Sequence, residues 1–325
     1  MIVVSGSRPT GKLHLGHFMT IGKWLEFQNK ADKSYFFVAD WHALTSHRDD
    51  VNTIESSTLD LVRHYLAMGV DPKKSTIFVQ SAIKEHAELY LLFSMLVSTT
   101  RLERMPTFKD MKENIKDKDL STLGFLGYPV LQAADILTYM GDTVPVGEDQ
   151  IYHVEFTREI ARKFNNLYEE IFPEPEAYVA SVPKLPGTDG RKMSKSYGNS
   201  IIIETEEKDM SKQIMQMKTD PARMRRTDPG DPEKCPVWDF HKAFTNSEEE
   251  KNWVINGCKT AEIGCIQCKK VLFKNMKEQL EPVWNNLKNI SNDDAKKIIL
   301  DGNEKARSVA EQTLKRVRNA MKLRW

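Results

Sequence analysis

Cysteine is missing from the first 234 residues of this chain, no apolar run is long, and neither sign of charge predominates. Each shortage excludes something. The longest apolar run, Leu89 to Val97, is interrupted by Ser94 and falls far short of the roughly 18 to 20 residues that cross a bilayer. Residues 1–10 lack the basic start, apolar stretch and small-residue cleavage site of a signal peptide. The expectation is a soluble cytoplasmic protein with no membrane partner. With 47 Lys plus Arg against 46 Asp plus Glu, a net charge of +1, there is no global field of the kind a histone-like or coat-like nucleic-acid binder uses. Any anionic partner has to be met by local patches. What is present is globular material: 325 residues, 40% hydrophobic and 29% charged, enough for one large domain or two moderate ones.

The first half alternates short β-rich runs with helical patterns. Ile2-Val3-Val4 precedes a Gly-rich turn and then an apolar stripe at Phe18, Ile21 and Leu25, which predicts strand, tight turn and helix. Tyr35 to Ala39 is a continuous apolar run of strand length. A helix follows with Leu59, Val62 and Leu66 on one face, stopped near Gly69-Val70-Asp71-Pro72, and Ile77-Phe78-Val79 repeats the pattern. Unbroken apolar strands separated by helices predict an α/β fold, a Rossmann-like doubly wound parallel sheet with ligands at the carboxyl ends of its strands. Lys109 to Asp119 mixes both signs densely and reads as a solvated connection, with an RNA contact the other reading. Pro129 is expected to open a helix that runs to Met140 and is closed by Gly141-Asp142. From Lys192 onward strand signals fade apart from Ile201-Ile202-Ile203. Residues 210–217, 240–256, 271–287 and 293–323 read as helical. The chain is therefore divided into a Rossmann-like domain, residues 1–190, and a helical domain, residues 191–325.

Two stretches carry chemistry. Between the first strand and first helix lies Ser5-Gly6-Ser7-Arg8-Pro9-Thr10-Gly11-Lys12-Leu13-His14-Leu15-Gly16-His17, where a nucleotide could meet backbone N–H groups and the positive end of a helix. Two histidines spaced i, i+3 share one face of the opening turn and can donate to phosphate oxygens. Gly16 removes a side chain so that a flat base or ribose can approach. A Gly-rich loop with two incidental histidines is the blander reading. The second stretch, Gly187 to Ser196, sets Lys192 and Lys195 in a Gly-flanked, hydroxyl-bearing loop. Lysines aimed at a leaving pyrophosphate stabilise charge that develops in the transition state, although a Lys-Ser-rich loop is usually solvated surface.

A His-x-Gly-His turn followed about 175 residues later by Lys-Met-Ser-Lys-Ser resembles the class I aminoacyl-tRNA synthetases. Further stretches narrow the resemblance to the tryptophanyl-tRNA synthetases: Ser5-Gly6 with Pro9, Asp40-Trp41-His42-Ala43-Leu44-Thr45, Tyr128 to Leu137, and Val146 to Gln150. The resemblance implies attachment of L-tryptophan to tRNA(Trp) with magnesium-bound ATP, through a tryptophanyl-adenylate, by a homodimer. It implies that His14, Gly16 and His17 contact ATP, with Arg8, Pro9 and Thr10 near the phosphates. Gly147, Glu148 and Asp149 would lie at the ribose, and Val182 beside the base. Lys192, Met193, Ser194, Lys195 and Ser196 would hold the leaving pyrophosphate; the catalytic set is His14, His17, Lys192 and Lys195. For tryptophan the implied residues are Val4, His42, Tyr128, Gln132, Asp135 and Gln150, with Asp135 accepting the indole N–H.

The chemistry of Asp135 stands beside the resemblance: a buried carboxylate takes one strong hydrogen bond from an indole and would be left unpaired by phenylalanine. An ordinary helix-internal Asp faces water, but this one lies three residues after Gln132 among apolar neighbours. His42 fits the pocket and equally fits a buried hydrogen-bond network. Gln132-x-x-Asp135 also suits a tyrosyl-tRNA synthetase, yet the tyrosine enzymes usually place a Tyr where this chain has Val4. Many bacterial tryptophan enzymes have Thr and Asn in place of His14 and His17, Gln in place of Arg8 and Met in place of Gln132. Two readings from other classes stand beside these: a nucleotidylyltransferase of the His-x-Gly-His type, although such enzymes are usually shorter, and a metal-cluster RNA-binding protein that keeps a synthetase fold without activity.

Cys235, Cys258, Cys265 and Cys268 are separated by 22, 6 and 2 residues. Four thiols crowded into one segment of a cytosolic chain point to a metal or cluster site rather than disulfides. The spacing resembles a subgroup of tryptophanyl-tRNA synthetases with a 4Fe-4S cluster in the helical domain; tetrahedral Zn2+ is the alternative. Local basic clusters supply what the net charge does not: Lys218, Arg223, Arg225 and Arg226, and residues 301–325 with seven Lys or Arg against three Asp or Glu. They decorate a solvated helix or meet RNA phosphates.

Overall fold

A computed structural model describes residues 1–49, 51–106, 122–179, 185–193 and 197–325. Five parallel strands form one sheet: β1 (Ile2–Ser7), β2 (Lys33–Val38), β3 (Ser75–Val79), β4 (Thr143–Val146) and β5 (Glu176–Val179), in spatial order β3-β2-β1-β4-β5. The chain runs outward from β1 through β2 to β3 and then resumes on the other side of β1. The order thus reverses between β1 and β4, the place where open parallel sheets bind ligands. The Rossmann-like sheet expected from the first half is present, with β4 and β5 added. Each of those has four residues, too few to show a periodic signal. Gly6 in β1 is required by packing, because a Cβ there would lie 2.6 Å from the Phe37 ring of β2.

The chain divides into two compact units that are not contiguous in sequence. The first is Met1–Gly11, Lys23–Ala180 and Ile290–Trp325; the second is Lys12–Gly22 and Ser181–Asn289. The division expected after residue 190 places the last helix, Asn292–Ala320, with the helical region, whereas its contacts place it with the sheet. A Cβ on Gly302 would sit 1.7 Å from the Ile77 carbonyl oxygen, so this helix lies directly on β3. Asn303 Oδ1 accepts the Val79 N–H at 3.0 Å, and Arg318 forks onto both oxygens of Glu88 at 2.6 Å. Ala306 and Ala310 complete a cluster with Val4, Phe37 and Phe78. Leu314, Val317 and Ala320 join Leu89, Phe93, Leu137 and Phe164. Removing that apolar area from water at roughly 25 cal/mol per Å2 outweighs the polar composition that makes the helix look detached.

Two helices differ from their expected limits. The helix expected to open at Pro129 runs over Leu123–Thr138 with Pro129 inside it. Thr122 caps it, its side chain accepting the Phe125 N–H at 3.3 Å, and that cap sets the start well upstream. The single helix expected over 240–256 is two, Pro236–Phe244 and Glu248–Lys259. Thr245 is extended between them, and Ser247 accepts the Glu250 N–H as a new N-cap. The remaining expected helices are Glu207–Gln216 and Cys265–Asn289. No helix among the described residues is long and apolar enough to cross a membrane. Lys109 to Asp119 lies outside the described residues.

Candidate active site and cysteine centre

Asp135 lies on the Leu123–Thr138 helix with no solvent exposure. Three side chains from three other segments meet its carboxylate. His42 Nε2 is 2.7 Å from Oδ2. The Gln80 amide donates to Oδ1 at 2.8 Å and Oδ2 at 3.0 Å. His86 Nδ1 is 2.6 Å from Oδ1, and its Nε2 is 2.7 Å from the Tyr139 hydroxyl. Burial pushes the Asp135 carboxyl up, yet hydrogen bonds from His42 and His86, with their charges, outweigh it and hold the group at about 2. The site therefore presents a fixed anion to whatever enters beside it. Gln132 is half-buried one turn earlier, and Val4 is packed in the sheet core with Tyr35, Phe37 and Tyr139.

A second chain of polar groups runs through the same unit. The Tyr128 hydroxyl is 2.9 Å from His153 Nε2, and His153 Nδ1 is 2.7 Å from Gln150 Oε1. Burial pulls the His153 imidazole down to about 4, against the charge of Asp149, so it is neutral and acts as a spacer with a settled tautomer. Arg8, Pro9 and Thr10 directly follow β1. Gly147, Glu148 and Asp149 directly follow β4 and are exposed. These two stretches thus leave the carboxyl ends of the two strands that flank the switch point.

In the other unit the His-x-Gly-His turn is tied to the segment after the Lys-rich loop. Leu15 N–H donates to Ile201 O at 3.0 Å, Ile203 N–H donates to Leu13 O at 2.8 Å, and His14 bridges Ile202 antiparallel. The Gly16 N–H donates to His14 Nδ1 at 3.1 Å and the His14 N–H to His17 Nδ1 at 3.2 Å, with the rings 4.1 Å apart. A Cβ at Gly16 would be 2.8 Å from the His14 ring. The loop turns at Gly187–Arg191, where Gly190 has φ +83°. Asp189 braces it: an Asn199 hydrogen bond, the Arg191 N–H and the Arg191 guanidinium hold its carboxyl at about 2. Lys192 is exposed and Met193 buried. Ser194, Lys195, Ser196 and Val182 lie outside the described residues.

Three helices carry the four cysteines. Cys235 precedes the Pro236–Phe244 helix, Cys258 is near the end of Glu248–Lys259, and Cys265 and Cys268 occupy the first turn of Cys265–Asn289. Burial, reinforced by Cys235, Cys258 and Cys265, pushes the Cys268 thiol up to about 12; burial also raises Cys235 and Cys258. All four are free thiols, and no three of their sulfurs come within 4.8 Å of one another. They are neighbours rather than a closed ligand set. Arg223, which the sequence places in a basic RNA-facing cluster, is 9% exposed. It donates to Ile263 O at 2.6 Å and Arg226 O at 3.0 Å, and its Nη1 is 3.7 Å from Cys258 Sγ. Its Nε is buried without an acceptor. The Asp231 and Ala222 N–H groups, with the charges of Lys234 and Arg223, hold the neighbouring Asp220 carboxyl below its ordinary value. His241 Nε2 lies 3.3 Å from Cys268 Sγ, with Nδ1 on Thr245 Oγ1 at 2.8 Å.

Sequence reasoning missed Gln80, His86, Tyr139, His153 and His241. None sits in a recognisable motif, and each is selected only by the packing of separate segments. A weak signal existed for His86, a histidine opening an otherwise apolar stretch.

The family model for tRNA synthetases class I (W and Y) matches residues 1–281. A tryptophan–tRNA ligase from Thermotoga maritima is 60% identical over 326 residues, covering 99% of each chain. One from Aquifex aeolicus is 40% identical over 395 residues, covering 99% of this chain and 100% of its own. The crystal structure of tryptophanyl-tRNA synthetase from Campylobacter jejuni, complexed with ADP and tryptophan, superposes with a TM-score of 0.85 at 34% identity over 99% of both chains. The sheet order, the His-x-Gly-His turn and these matches agree: the chain belongs to the class I tRNA synthetases, in the family of the tryptophan and tyrosine enzymes.

Proposed function

We propose that this chain attaches L-tryptophan to tRNA(Trp) using ATP. The observation that carries the choice of amino acid is Asp135: a fully buried carboxylate kept ionised by three donors suits a neutral N–H donor such as an indole. The tryptophan carboxylate attacks the α-phosphorus of magnesium-bound ATP. An oxygen–phosphorus bond forms, the bond to the β-phosphate breaks, and pyrophosphate leaves. The terminal ribose hydroxyl of the tRNA then attacks the acyl carbon, releasing AMP and the hydroxyl proton. Positioning and charge stabilisation do the catalysis, with no covalent enzyme intermediate.

In this reading His14, Gly16 and His17 bind ATP together with Arg8, Pro9 and Thr10, and Gly147, Glu148 and Asp149 hold the ribose beside Val182. Lys192, Met193, Ser194, Lys195 and Ser196 receive the pyrophosphate. Val4, His42, Tyr128, Gln132 and Gln150 join Asp135 around tryptophan, and two copies of the chain form the enzyme. The helices of the second unit, which ends at Asn289, read the tRNA anticodon arm. Lys218, Arg225 and Arg226 are its phosphate contacts, since Arg223, Arg307 and Arg318 are engaged within the chain.

The four cysteines hold a 4Fe-4S cluster. The chemistry of their surroundings fits an anionic thiolate centre: Arg223 has a buried Nε lacking an acceptor and its Nη1 is 3.7 Å from Cys258 Sγ, while the nearby Asp220 carboxylate accepts the Ala222 and Asp231 N–H groups. When bound, the group cross-links three helices; nothing in aminoacylation calls for an electron.

Tryptophan-dependent ATP–pyrophosphate exchange, with tyrosine as control, tests the activity. Exchange with tyrosine alone would transfer the reading to the tyrosine enzymes, and none with either would end it. Iron, sulfide and zinc analysis of anaerobically purified protein tests the cluster; stoichiometric zinc without iron would replace it.

A further inference from the structure

The Asp135 carboxylate has about four acceptor positions, and the donors that fill them differ in freedom. Gln80 and His86 are fully buried, whereas the His42 side chain is 11% exposed. His86 is in turn held from behind. Its Nε2 is 2.7 Å from the hydroxyl of Tyr139, whose ring is 1% exposed and stacks on Tyr35 with centroids 4.5 Å apart. Neither ring has room to turn. Tyr139 keeps its proton, because burial and the charges of Asp135 and Glu85 push its hydroxyl upward. The ionised Asp135 carboxylate can only accept, so His86 Nδ1 carries a proton and donates to Oδ1, while Nε2 pairs with the Tyr139 hydroxyl.

We infer that His86, held in orientation from behind by Tyr139, is a positioning residue that holds Asp135 as an ionised, immobile acceptor for the indole N–H and so sets tryptophan specificity. The inference rests on the reading of Asp135 as the indole acceptor. His86 sits behind the carboxylate and acts through it. A carboxylate without this brace would rotate, and it would protonate at a higher pH. The groups that face it are His42 from the Asp40–His47 helix, Gln80 after β3 and His86 from the Glu85–Ser94 helix, with Tyr139, Tyr35 and Glu85 behind.

The test is ATP–pyrophosphate exchange as a function of tryptophan concentration between about pH 5 and 8, for the wild type, His86→Phe, His86→Asn and Tyr139→Phe. His86→Phe is expected to raise KM for tryptophan roughly 10- to 150-fold with a smaller change in kcat, and to add an acid limb to kcat/KM. His86→Asn keeps an amide N–H near the Nδ1 position and should recover most of the loss without the limb. Tyr139→Phe deletes only the hydroxyl and should raise KM about threefold. A folded His86→Phe protein with wild-type KM and pH profile overturns the inference. If that variant does not fold, an unchanged KM and pH profile in Tyr139→Phe overturns it. Absence of exchange in the wild type overturns the ligase reading itself, a result distinct from wild-type exchange with an unperturbed His86→Phe.

Discussion

The Asp135 carboxylate is fully buried and the four cysteines are half-buried; both sites gather side chains from several segments, yet their charges are arranged in opposite ways. At Asp135 an anion is answered from within the chain by His42, Gln80 and His86. At the cysteines the Arg223 guanidinium has a buried Nε without an acceptor, and burial pushes Cys258 and Cys268 towards their neutral thiol forms. The first arrangement is rigid before any ligand arrives, as a specificity site should be. The second suits an added group that turns thiols into thiolates. Preorganisation and cofactor dependence thus divide between two sets of residues, and the difference can be tested by perturbing one set while reading the other.

The largest effect is expected from Asp135→Asn, which should lower kcat/KM for tryptophan in exchange about 10³-fold while iron or zinc content stays as in the wild type. Loss of metal in that variant would show the two sites to be coupled. Cys268→Ser should abolish stoichiometric metal binding, measured by elemental analysis, with little change in tryptophan-dependent exchange; a collapse of exchange would remove the distinction between them. Gly302→Ala drives a Cβ into the Ile77 carbonyl. It should cost on the order of 3 kcal/mol in urea denaturation with metal content unaltered, because that helix belongs to the sheet unit.

The smallest expected effect is acid sensitivity. The folded Asp135 carboxyl is held at about 2 against an ordinary 3.8, so its contribution is present above the unfolded value and lost as pH falls from about 4 towards about 2. Roughly 2 kcal/mol of stability should disappear in that window. Neutral His153, held at about 4 against 6.5, adds a loss beginning as pH falls below about 6.5. Denaturation midpoints followed against pH should lose the lower step in Asp135→Asn and keep the upper one.

Much of the sheet was legible because β1, β2 and β3 are continuous apolar runs, and a strand buried on both faces needs nothing else. β4 and β5 were not, at four residues each. The Asp135 helix was legible as a helix but not in its start, since the Thr122 cap competes with a proline that usually marks a first turn. Around the site, Asp135, His42 and Tyr128 were reachable through motifs. Gln80, His86, Tyr139 and His153 were not, because each owes its role to a neighbour far away in sequence. Arg223 illustrates the same limit from the other side: its basic neighbours suggested RNA, and its burial beside Cys258 assigns it to the protein interior.

The parallel α/β architecture, the His-x-Gly-His turn with its distant lysine loop, and the crowding of four cysteines are all written in local order and spacing. Long-range packing is what lays the last helix on β3, brings three donors to Asp135 and turns Arg223 inward. Burial and hydrogen bonding between segments up to 230 residues apart depend on how the chain is brought together, and no local pattern records that.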